Sequence, residues 1–230
     1  MVKTEQDVYE IKNIDKEYPK RLRKIKGMPQ VIYAKGNIDL LNNYGIGIVG
    51  SRDCDEYGIN NAKRFADYLS KKGITIISGL AKGIDSIAHM YSMKNIGKTI
   101  AVLPCGFNNI YPKENIKLAN IIIENGGLLI SEWSPNVKAD IYRFPQRNRI
   151  ISGLSIGVLV VESKCKSGSN ITAYNAMKQG RSVFSIPGDM DNERSKGTNM
   201  LIKEGAYPVS EPMDIIDILE FEGYSLKNKY

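Results

Sequence analysis

The sequence predicts an α/β fold in which a doubly wound, mostly parallel sheet carries helices on both faces. Two observations support this prediction. From about residue 45, short runs of β-branched residues alternate with longer amphipathic stretches, which is typical of strand–helix–strand units. The short runs are also almost entirely apolar, as expected for strands that helices cover on both sides.

The same alternation places each element along the chain. Strands are predicted at residues 45–49, 74–78, 99–103, 128–131, 157–161 and 182–186. Helices are predicted at residues 56–72, 84–95, 113–125, 146–154, 170–179 and 200–204, with a final amphipathic helix at 213–219. The crossovers between parallel strands are expected to be right-handed.

The first 40 residues differ from the rest in charge. Residues 1–35 contribute +4 of the formal net charge of +7. The basic run 20–26 is interpreted as a solvated helical face that leads into an edge strand at 31–34, because short charge runs are usually solvated. We therefore expect three segments, namely a basic extension packed on the core at 1–40, a core domain at 41–212, and a C-terminal helix and tail at 213–230.

The composition excludes several classes of protein. The 230 residues are 42% hydrophobic and 25% charged, as in an ordinary globular protein and unlike a disordered or fibrous one. Apolar runs fall far short of the ~18 residues that a membrane span needs, and the charged N-terminus does not resemble a signal peptide. A cytoplasmic protein without a membrane partner is therefore expected. The net charge of +7 allows an anionic partner without demonstrating one.

The few cysteine and histidine residues limit the possible chemistry. Cys54, Cys105 and Cys165 are odd in number and widely spaced, which argues against a disulfide framework or a zinc site. His89 is the only histidine, so mechanisms that need two imidazoles are excluded. We predict no metal, no cofactor and no catalytic residue.

Two motif matches are rejected because of their structural context. The spacing Gly45-x-Gly47-x-x-Gly50 fits a dinucleotide-binding fingerprint, but its first two glycines fall inside a predicted strand, and no acidic residue closes the next strand. Residues 153–157, Gly-Leu-Ser-Ile-Gly, match a nucleophile elbow, but they precede a strand where an elbow must follow one. Nicotinamide or flavin binding and serine hydrolysis are therefore not expected.

Loops rich in glycine, serine and polar residues follow most of the predicted strands. They lie at residues 50–52, 78–85, 104–106, 162–172 and 187–189. The carboxyl ends of parallel strands meet at one edge of the sheet, where such folds bind ligands. Small residues let the backbone approach a ligand, and N–H groups near helix N-termini favour phosphate. With the charges of Arg52 and Lys82, these loops predict an anion-binding groove at that edge.

A cluster of arginines around one aromatic residue strengthens this prediction. Arg143, Arg147 and Arg149 surround Phe144 at the start of a predicted helix. Arginines suit phosphates, and an unstacked base needs a flat apolar face such as the Phe144 ring. The alternative is that Phe144 staples the helix and that the arginines pair with nearby carboxylates. The candidate carboxylates are Glu132, Asp140 and Glu162. This alternative is favoured for Phe144 alone, whereas binding is favoured for the cluster beside Arg52 and Lys82.

Five motifs follow one another in a specific order. They are Gly50-Ser51-Arg52; residues 78–85 with His89; Phe144-Pro145-x-Arg147-Asn148-Arg149-Ile150-Ile151; Ser167-Gly168-Ser169 with Thr172; and Gly197-x-Asn199. Through them, the chain from about residue 18 to residue 209 resembles the DNA-processing protein A family (DprA, also called Smf). Many members carry a helical domain before this core and a winged-helix domain after it, and we expect neither within these 230 residues.

The resemblance implies an extended Rossmann-like domain that binds single-stranded DNA. It also implies a homodimer that loads the RecA recombinase onto incoming strands during natural transformation. By motif, Gly50, Ser51 and Arg52 would hold phosphate, and Lys82 would add charge. The full set of residues expected to bind DNA or phosphate is Gly50, Ser51, Arg52, Lys82, Gly83, Arg143, Phe144, Arg147, Asn148, Arg149, Ser167, Gly168, Ser169, Thr172 and Asn199.

An enzyme is the second hypothesis. Nucleoside-monophosphate phosphoribohydrolases of the "lonely guy" type have related folds and bind phosphate at the same edge. Their Pro-Gly-Gly-x-Gly-Thr loop and catalytic glutamate are replaced here by residues 167–172, Ser-Gly-Ser-Asn-Ile-Thr, without a glutamate in that helix turn. Glu162 or Asp85 could still act as acid or base, although pairing with nearby cations is favoured. His89 and Asp85, four residues apart, are interpreted as capping or packing residues, and a non-catalytic binding protein is predicted.

Overall fold

A ten-stranded sheet organises residues 1–3 and 7–226, which are the residues that the computed structural model describes. The strands are β1 (Val2–Lys3), β2 (Val8–Lys12), β3 (Val31–Gly36), β4 (Gly45–Val49), β5 (Thr75–Ser78), β6 (Thr99–Leu103), β7 (Leu128–Ser131), β8 (Gly157–Val160), β9 (Ser182–Ser185) and β10 (Tyr207–Pro208). Their order in the sheet is β1-β2-β3-β7-β6-β5-β4-β8-β9-β10. The strands from β7 to β10 in this order are parallel, whereas β1, β2 and β3 pair in antiparallel fashion.

Helices cover both faces of the sheet, which confirms the predicted doubly wound α/β fold. They are α1 (Glu56–Lys71), α2 (Ile84–Ser92), α3 (Ile116–Glu124), α4 (Arg143–Leu154), α5 (Gly168–Lys178), α6 (Lys196–Lys203) and α7 (Pro212–Phe221). One face packs against α1, α2, α3 and α7, and the other packs against α4, α5 and α6. Every helix in the described part of the chain is too short or too polar to cross a bilayer.

The central strands are buried on both sides, as their apolar runs predicted. In β4, Ile48 packs in the cluster beneath α1 and α2, while the next residue, Val49, packs in the cluster beneath α4 and α5. All five residues of β4 are buried, including Gly45 and Gly47. Because these glycines lie within the strand, the rejection of the dinucleotide fingerprint agrees with the structure.

The N-terminal segment is more deeply built into the sheet than predicted. The strand expected at 31–34 is present as β3, but its prediction as an edge strand is wrong, because β3 lies between β2 and β7. The strand β2 was not predicted, since its five residues, Val-Tyr-Glu-Ile-Lys, include two charged residues and form no continuous apolar run. The division of the chain at residues 40 and 212 stays a prediction, and residues 227–230 of the expected tail lie outside the described residues.

The basic run 20–26 forms a single 3-10 turn at Leu22–Lys24 instead of the predicted helical face. Lys20, Arg23, Lys24 and Lys26 are exposed, in line with a solvated run. Arg21 is different, because its Nε donates to the Leu154 carbonyl at 2.9 Å and its Nη2 donates to the Asn43 carbonyl. Arg23, although exposed, also donates its Nη2 to the Asp15 carbonyl at 2.8 Å, so two of the five cations of the run bind backbone carbonyls.

The starts of several helices differ from the predicted starts. The structure begins α4 at Arg143, three residues before the predicted start at 146, because a proline in the first helical turn costs no intrahelical hydrogen bond. Residues Lys113–Asn115 form a 3-10 turn, so α3 begins only at Ile116. Helices α5 and α6 begin at Gly168 and Lys196, which is earlier than their predicted starts at residues 170 and 200.

The burial of β2 generates a stability prediction. Ile11 of β2 is fully buried, whereas Ile14, three residues later, is 83% exposed. Replacing Ile11 by Ala should lower the free energy of unfolding by about 2–5 kcal/mol, because a buried apolar side chain is lost and a cavity remains. Ile14→Ala is the matched control and should change it by less than about 0.5 kcal/mol. Urea titrations measure both, and equal effects would contradict the placement of β2 in the core.

Candidate nucleic-acid interface

A groove lies at the carboxyl edge of the parallel strands, where the strand order reverses between β4 and β8. Its cavity volume is about 440 Å³. The loop after β4, the loop after β8 and the first turns of α4 and α5 form its walls. Doubly wound sheets bind ligands at such a reversal, because the two loops diverge there and leave a crevice. The structure thus contains a groove at the edge where the sequence predicted one.

Most of the predicted binding residues are brought together in this groove. Those that line it are Gly50, Ser51, Arg52, Phe144, Arg147, Asn148, Ser167, Gly168, Ser169 and Thr172. Lys82 lines a smaller pocket directly beside the groove. That these residues bind a ligand stays a prediction.

A hydrogen-bonded chain of hydroxyl groups orders the loop before α5. Ser167 Oγ lies 2.9 Å from Ser163 Oγ and 2.6 Å from Ser169 Oγ. Asn170 closes the loop by donating its Nδ2 to the carbonyl of Cys165 at 2.8 Å. Asn148 Nδ2 donates to the carbonyl of Gly168 at 3.0 Å and so joins α4 to this loop. The loop is therefore ordered where α5 presents its free first-turn N–H groups, which favour an anion.

Unpaired cations make the groove positive. Arg52, Lys164 and Lys166 line it, are exposed, and form no ion pair with any residue in the ranges 1–3 and 7–226. The carboxylate of Asp53, in contrast, lies 2.7 Å from Arg194 Nη2 and is neutralised by it. Lys82 Nζ lies 2.6 Å from Glu114 Oε1, so its charge is partly balanced. The groove therefore has excess positive charge despite the acidic residues in the same loops.

Phe144 lies at the groove and is only partly buried, and whether it binds a base or staples the helix stays a prediction. The guanidinium carbon of Arg52 lies 5.5 Å from the centroid of its ring. The ring of Tyr111 packs on Phe144 with centroids 5.7 Å apart and planes at 78°. Cation–π attraction of this kind holds the Arg52 side chain over the groove without neutralising its charge.

Arg147 is a buried structural cation, although the family motif assigned it to the strand groove. Only 4% of it is exposed. Its Nη1 donates to the carbonyl of Gly79, just after β5, and to that of Val102 in β6 at 2.6 Å, while its Nε donates to Asn148 Oδ1 at 3.1 Å. A Cβ atom on Gly79 would collide with the guanidinium, so glycine is required there. Burial lowers the pKa of Arg147 to about 10, so it stays charged at neutral pH.

The remaining predicted residues do not line the groove. Arg149 Nη2 pairs with Glu132 Oε1 at 2.7 Å, as the alternative of ion pairing proposed. Arg143 donates to the carbonyl of Lys138 and lies over the Trp133 ring. The other two residues stabilise loops. Gly83, at φ +73°, directly precedes α2 and packs against the backbone of Ser51 and Arg52. The side chain of Asn199 donates to the Gly188 carbonyl at 2.9 Å and accepts from the Gly188 N–H at 3.2 Å.

Asp85, a buried residue that lines the groove, and His89, which is fully buried, have structural roles. Asp85 Oδ2 accepts hydrogen bonds from the N–H groups of Gly79 at 3.1 Å and Ala81 at 3.3 Å, so it caps the loop after β5. Burial raises the pKa of Asp85, and the positive charge of Arg147 opposes this rise. Thr99 Oγ1 donates to the Ile76 carbonyl, so it accepts from His89 Nδ1 at 2.7 Å. Burial lowers the pKa of His89 to about 3, which keeps the ring neutral.

Glu162 is the other buried carboxylate near the groove. Only 3% of it is exposed, and its Oε2 accepts the backbone N–H of Asp55 at 3.2 Å. Its Oε1 lies 3.8 Å from Arg194 Nε. Burial raises the pKa of Glu162 to about 7. The side chain does not line the groove, in line with the predicted pairing role.

Lys164, Lys166 and Tyr111 belong to the groove or to the pocket beside it, but sequence reasoning did not select them. The two lysines flank Cys165 in the loop that was predicted to reach this edge, so their position after a buried strand was an available signal. Tyr111 lies in a long connection between β6 and α3, where no periodic pattern points to it.

Comparison with known proteins identifies the family. The family model for DNA recombination-mediator protein A matches residues 10–220. This chain belongs to that family. It is 44% identical to Protein Smf of Escherichia coli over 204 residues and 44% identical to DNA processing protein DprA of Bacillus subtilis over 216 residues. The match to the Escherichia coli protein includes 89% of this chain and 54% of that protein. The match to the Bacillus subtilis protein includes 94% of this chain and 72% of that protein.

Solved structures of the family share this fold. DprA from Streptococcus pneumoniae superposes with a TM-score of 0.87 at 41% identity, over 92% of this chain and 74% of that chain. DNA processing protein A from Helicobacter pylori, described for its single-stranded DNA binding mode, superposes with a TM-score of 0.84 at 30% identity, over 94% of this chain and 97% of that chain. The resemblance inferred from the five motifs is therefore confirmed.

Family membership bears on the question of catalysis. The matching family is described as a DNA recombination-mediator protein, which agrees with the predicted binding protein. The residues of the rejected nucleophile elbow agree as well, because Ser155 is fully buried and donates to the Ile151 carbonyl at 2.7 Å. Within the described part of the chain, no group of three or more His, Cys, Asp or Glu side chains is placed to hold a metal ion.

The burial of Arg147 leads to a prediction about stability, with an exposed cation of the same groove as the control. Arg147→Met should lower the free energy of unfolding by about 3–5 kcal/mol, because it leaves Asp85 buried without its neighbouring cation. Arg52→Ala removes an exposed cation of the same groove and should change it by less than about 0.5 kcal/mol. Urea unfolding followed by circular dichroism measures both values. A loss below about 1 kcal/mol for Arg147→Met would contradict the structural role.

The raised pKa of Glu162 leads to a prediction about pH. The folded protein keeps a proton on Glu162 up to about pH 7, whereas the group ionises near its ordinary value of 4.5 in the unfolded chain. Stability from this group should therefore fall as the pH rises from about 4.5 to about 7, and Glu162→Gln should remove that fall. Unfolding free energies of both proteins across this range test it. His89 contributes equally to both proteins, so its opposite pH dependence cancels when the unfolding free energy of one protein is subtracted from that of the other. A difference that does not change with pH would contradict the prediction.

Proposed function

We propose that this chain binds single-stranded DNA along the groove at the carboxyl edge of the sheet, as a recombination mediator. The observation that carries the proposal is the combination of unpaired Arg52, Lys164 and Lys166 with the partly exposed ring of Phe144 in one groove. Cations that follow the backbone and aromatic rings that stack with bases are the two elements of single-strand binding. The relative from Helicobacter pylori, described for single-stranded DNA binding, supports the same ligand.

The chemistry of the groove favours binding without sequence preference. Charged side chains contact phosphates, which are the same for every base, and stacking on an aromatic ring accepts any base. A duplex would keep its bases stacked inside the helix and could not use the Phe144 ring. The chain should therefore prefer single strands over duplexes of any sequence.

The mediator role includes a recombinase and a second copy of the chain. We propose that the DNA-bound protein is a homodimer that loads RecA onto the strand it holds during natural transformation. Membership in the recombination-mediator family supports this part of the proposal.

The phosphoribohydrolase hypothesis receives no support from a groove residue. Glu162 faces Asp55 and Arg194 instead of the groove, and Asp85 is engaged by two backbone N–H groups. Glu162 is therefore turned away from a bound nucleotide, and Asp85, which lines the groove, has its Oδ2 atom occupied by the loop after β5. The non-catalytic proposal is preferred for this reason.

A salt titration with a labelled oligonucleotide tests the electrostatic part of the proposal. Four cations at the groove and its adjoining pocket, Arg52, Lys82, Lys164 and Lys166, should give a log–log slope of affinity against salt of about −3, since each single-strand phosphate contact contributes about −0.7. Arg52→Ala should weaken binding and reduce the steepness by about 0.7. Fluorescence anisotropy measures both.

The control is Lys24→Ala, which removes an exposed cation of the basic run 20–26, away from the groove. It should leave both the affinity and the slope unchanged. Tighter binding to a duplex of the same sequence, or a flat salt response, would refute the proposed function. An equal loss in Lys24→Ala and Arg52→Ala would refute the assignment to the groove.

A further inference from the structure

The loop after β4, which forms one wall of the groove, is held at its base by Glu162 and Arg194. The Ser51 N–H donates to the Glu162 carbonyl at 2.8 Å, and the Asp55 N–H donates to Glu162 Oε2 at 3.2 Å. Arg194 holds the middle of the loop, because its Nε donates to the Asp53 carbonyl at 2.9 Å and its Nη2 lies 2.7 Å from Asp53 Oδ2. This wall of the groove is therefore anchored on two residues.

The ion pair with Arg194 masks an acidic residue of the groove. Asp53 lines the groove, and its side chain is 80% exposed. The backbone of Arg194 is fixed, since its carbonyl accepts from the Ser163 N–H at 2.8 Å and its N–H donates to Asn192 Oδ1 at 2.9 Å. The guanidinium can therefore move between neighbouring carboxylates while the backbone that carries it stays in place.

Glu162 is a second carboxylate within reach of that guanidinium. Its Oε1 lies 3.8 Å from Arg194 Nε, too far for a hydrogen bond, and has no hydrogen-bond partner in the described part of the chain. A buried oxygen without a donor disfavours the ionised carboxylate. Burial and the negative charge of Asp55 raise the pKa of Glu162 to about 7. The thiol of Cys54, which also faces the carboxyl, stays neutral because burial raises its pKa.

From this arrangement we infer that Glu162 is a positioning residue, which makes the affinity for single-stranded DNA depend on pH by way of Arg194. While Glu162 is protonated, Arg194 remains paired with Asp53 and the acid in the groove is masked. When Glu162 ionises, its buried oxygen takes a share of the guanidinium, and the Asp53 charge is uncovered beside the phosphates of the strand. Affinity therefore falls as the pH rises through neutrality. The inference rests on the proposed function, because it needs a strand in the groove.

The size of the effect follows from one elementary charge. Uncovering Asp53 cancels about one phosphate contact, which is worth about fivefold in affinity at about 0.1 M salt, since each contact contributes about −0.7 to the log–log slope. Binding and proton uptake are linked, so a strand that prefers the protonated protein by this factor takes up about 0.3 proton per chain at about pH 7.

A pH titration of the affinity tests the inference. A labelled oligothymidylate is bound to the full chain at constant ionic strength and followed by anisotropy. The natural sequence should lose about fivefold in affinity between about pH 5.5 and about pH 8.5, whereas Glu162→Gln, which keeps the shape but never ionises, should keep one affinity throughout. Calorimetry in two buffers of different ionisation enthalpy should detect proton uptake by the natural sequence and none by Glu162→Gln.

Glu132→Gln is the matched control. Glu132 is also a carboxylate paired with an arginine, but its partner is Arg149, at 2.7 Å, and not Arg194. This variant should show the same fall in affinity with pH as the natural sequence. A pH dependence that disappears in both glutamine variants would contradict the inference.

Asp53→Asn separates the route through Arg194 from a direct repulsion between Glu162 and the strand. Asp53 is exposed, so this variant should fold as the natural sequence does. Its affinity should change by less than about twofold over the same pH range, because no charge is left to uncover and the direct repulsion is screened by salt. If Asp53→Asn keeps the full fall, or if Glu162→Gln falls as the natural sequence does, the inference is wrong.

The same measurements separate this inference from the proposed function. If the natural sequence binds the oligothymidylate at no pH, the proposed function fails. If it binds with one affinity across the range while Arg52→Ala weakens binding, only the role of Glu162 fails.

Discussion

The guanidinium of Arg147 is the interaction on which the carboxyl edge of the sheet depends. It reaches from α4 to the ends of β5 and β6 and satisfies backbone carbonyls that would otherwise be buried without a donor. The same side chain contacts Asn148, which in turn donates to the loop before α5. One buried cation thus joins both sides of the strand-order reversal. Because Arg147 already links these segments below the groove, the exposed cations of the groove are not needed in ion pairs that would stabilise this edge.

The sequence predicts the central sheet well because burial on both faces leaves a direct mark in it. Runs such as β4 and β8 are apolar at every position, and the parallel order then brings their loops to one edge. The same approach misses β2, where charged residues interrupt the apolar run, and so misjudges β3 as an edge strand. Local pattern reports how a segment is buried, but the neighbours of a strand are decided by contacts far away in the chain.

The roles of individual side chains were harder to predict than the position of the groove. Arg147 and Arg149 share a motif with Phe144, yet one satisfies strand ends and the other pairs with Glu132. A sequence shows that an arginine is present near a ligand edge, but its free charge depends on which carbonyls and carboxylates the fold brings to it. Tyr111 shows the converse, since an irregular connection without any periodic pattern carries a ring to the groove.

The two ends of the sheet have a consequence for how the protein can meet others. Over the described residues, the outermost strands are β1 and β10, each only two residues long, and β10 ends on Pro208, which has no N–H to donate. Strands this short offer another polypeptide few backbone groups for the hydrogen bonds of strand addition. Association by extending the sheet at β1 or β10 is therefore disfavoured. The same short strands limit β-aggregation through the edges of this sheet.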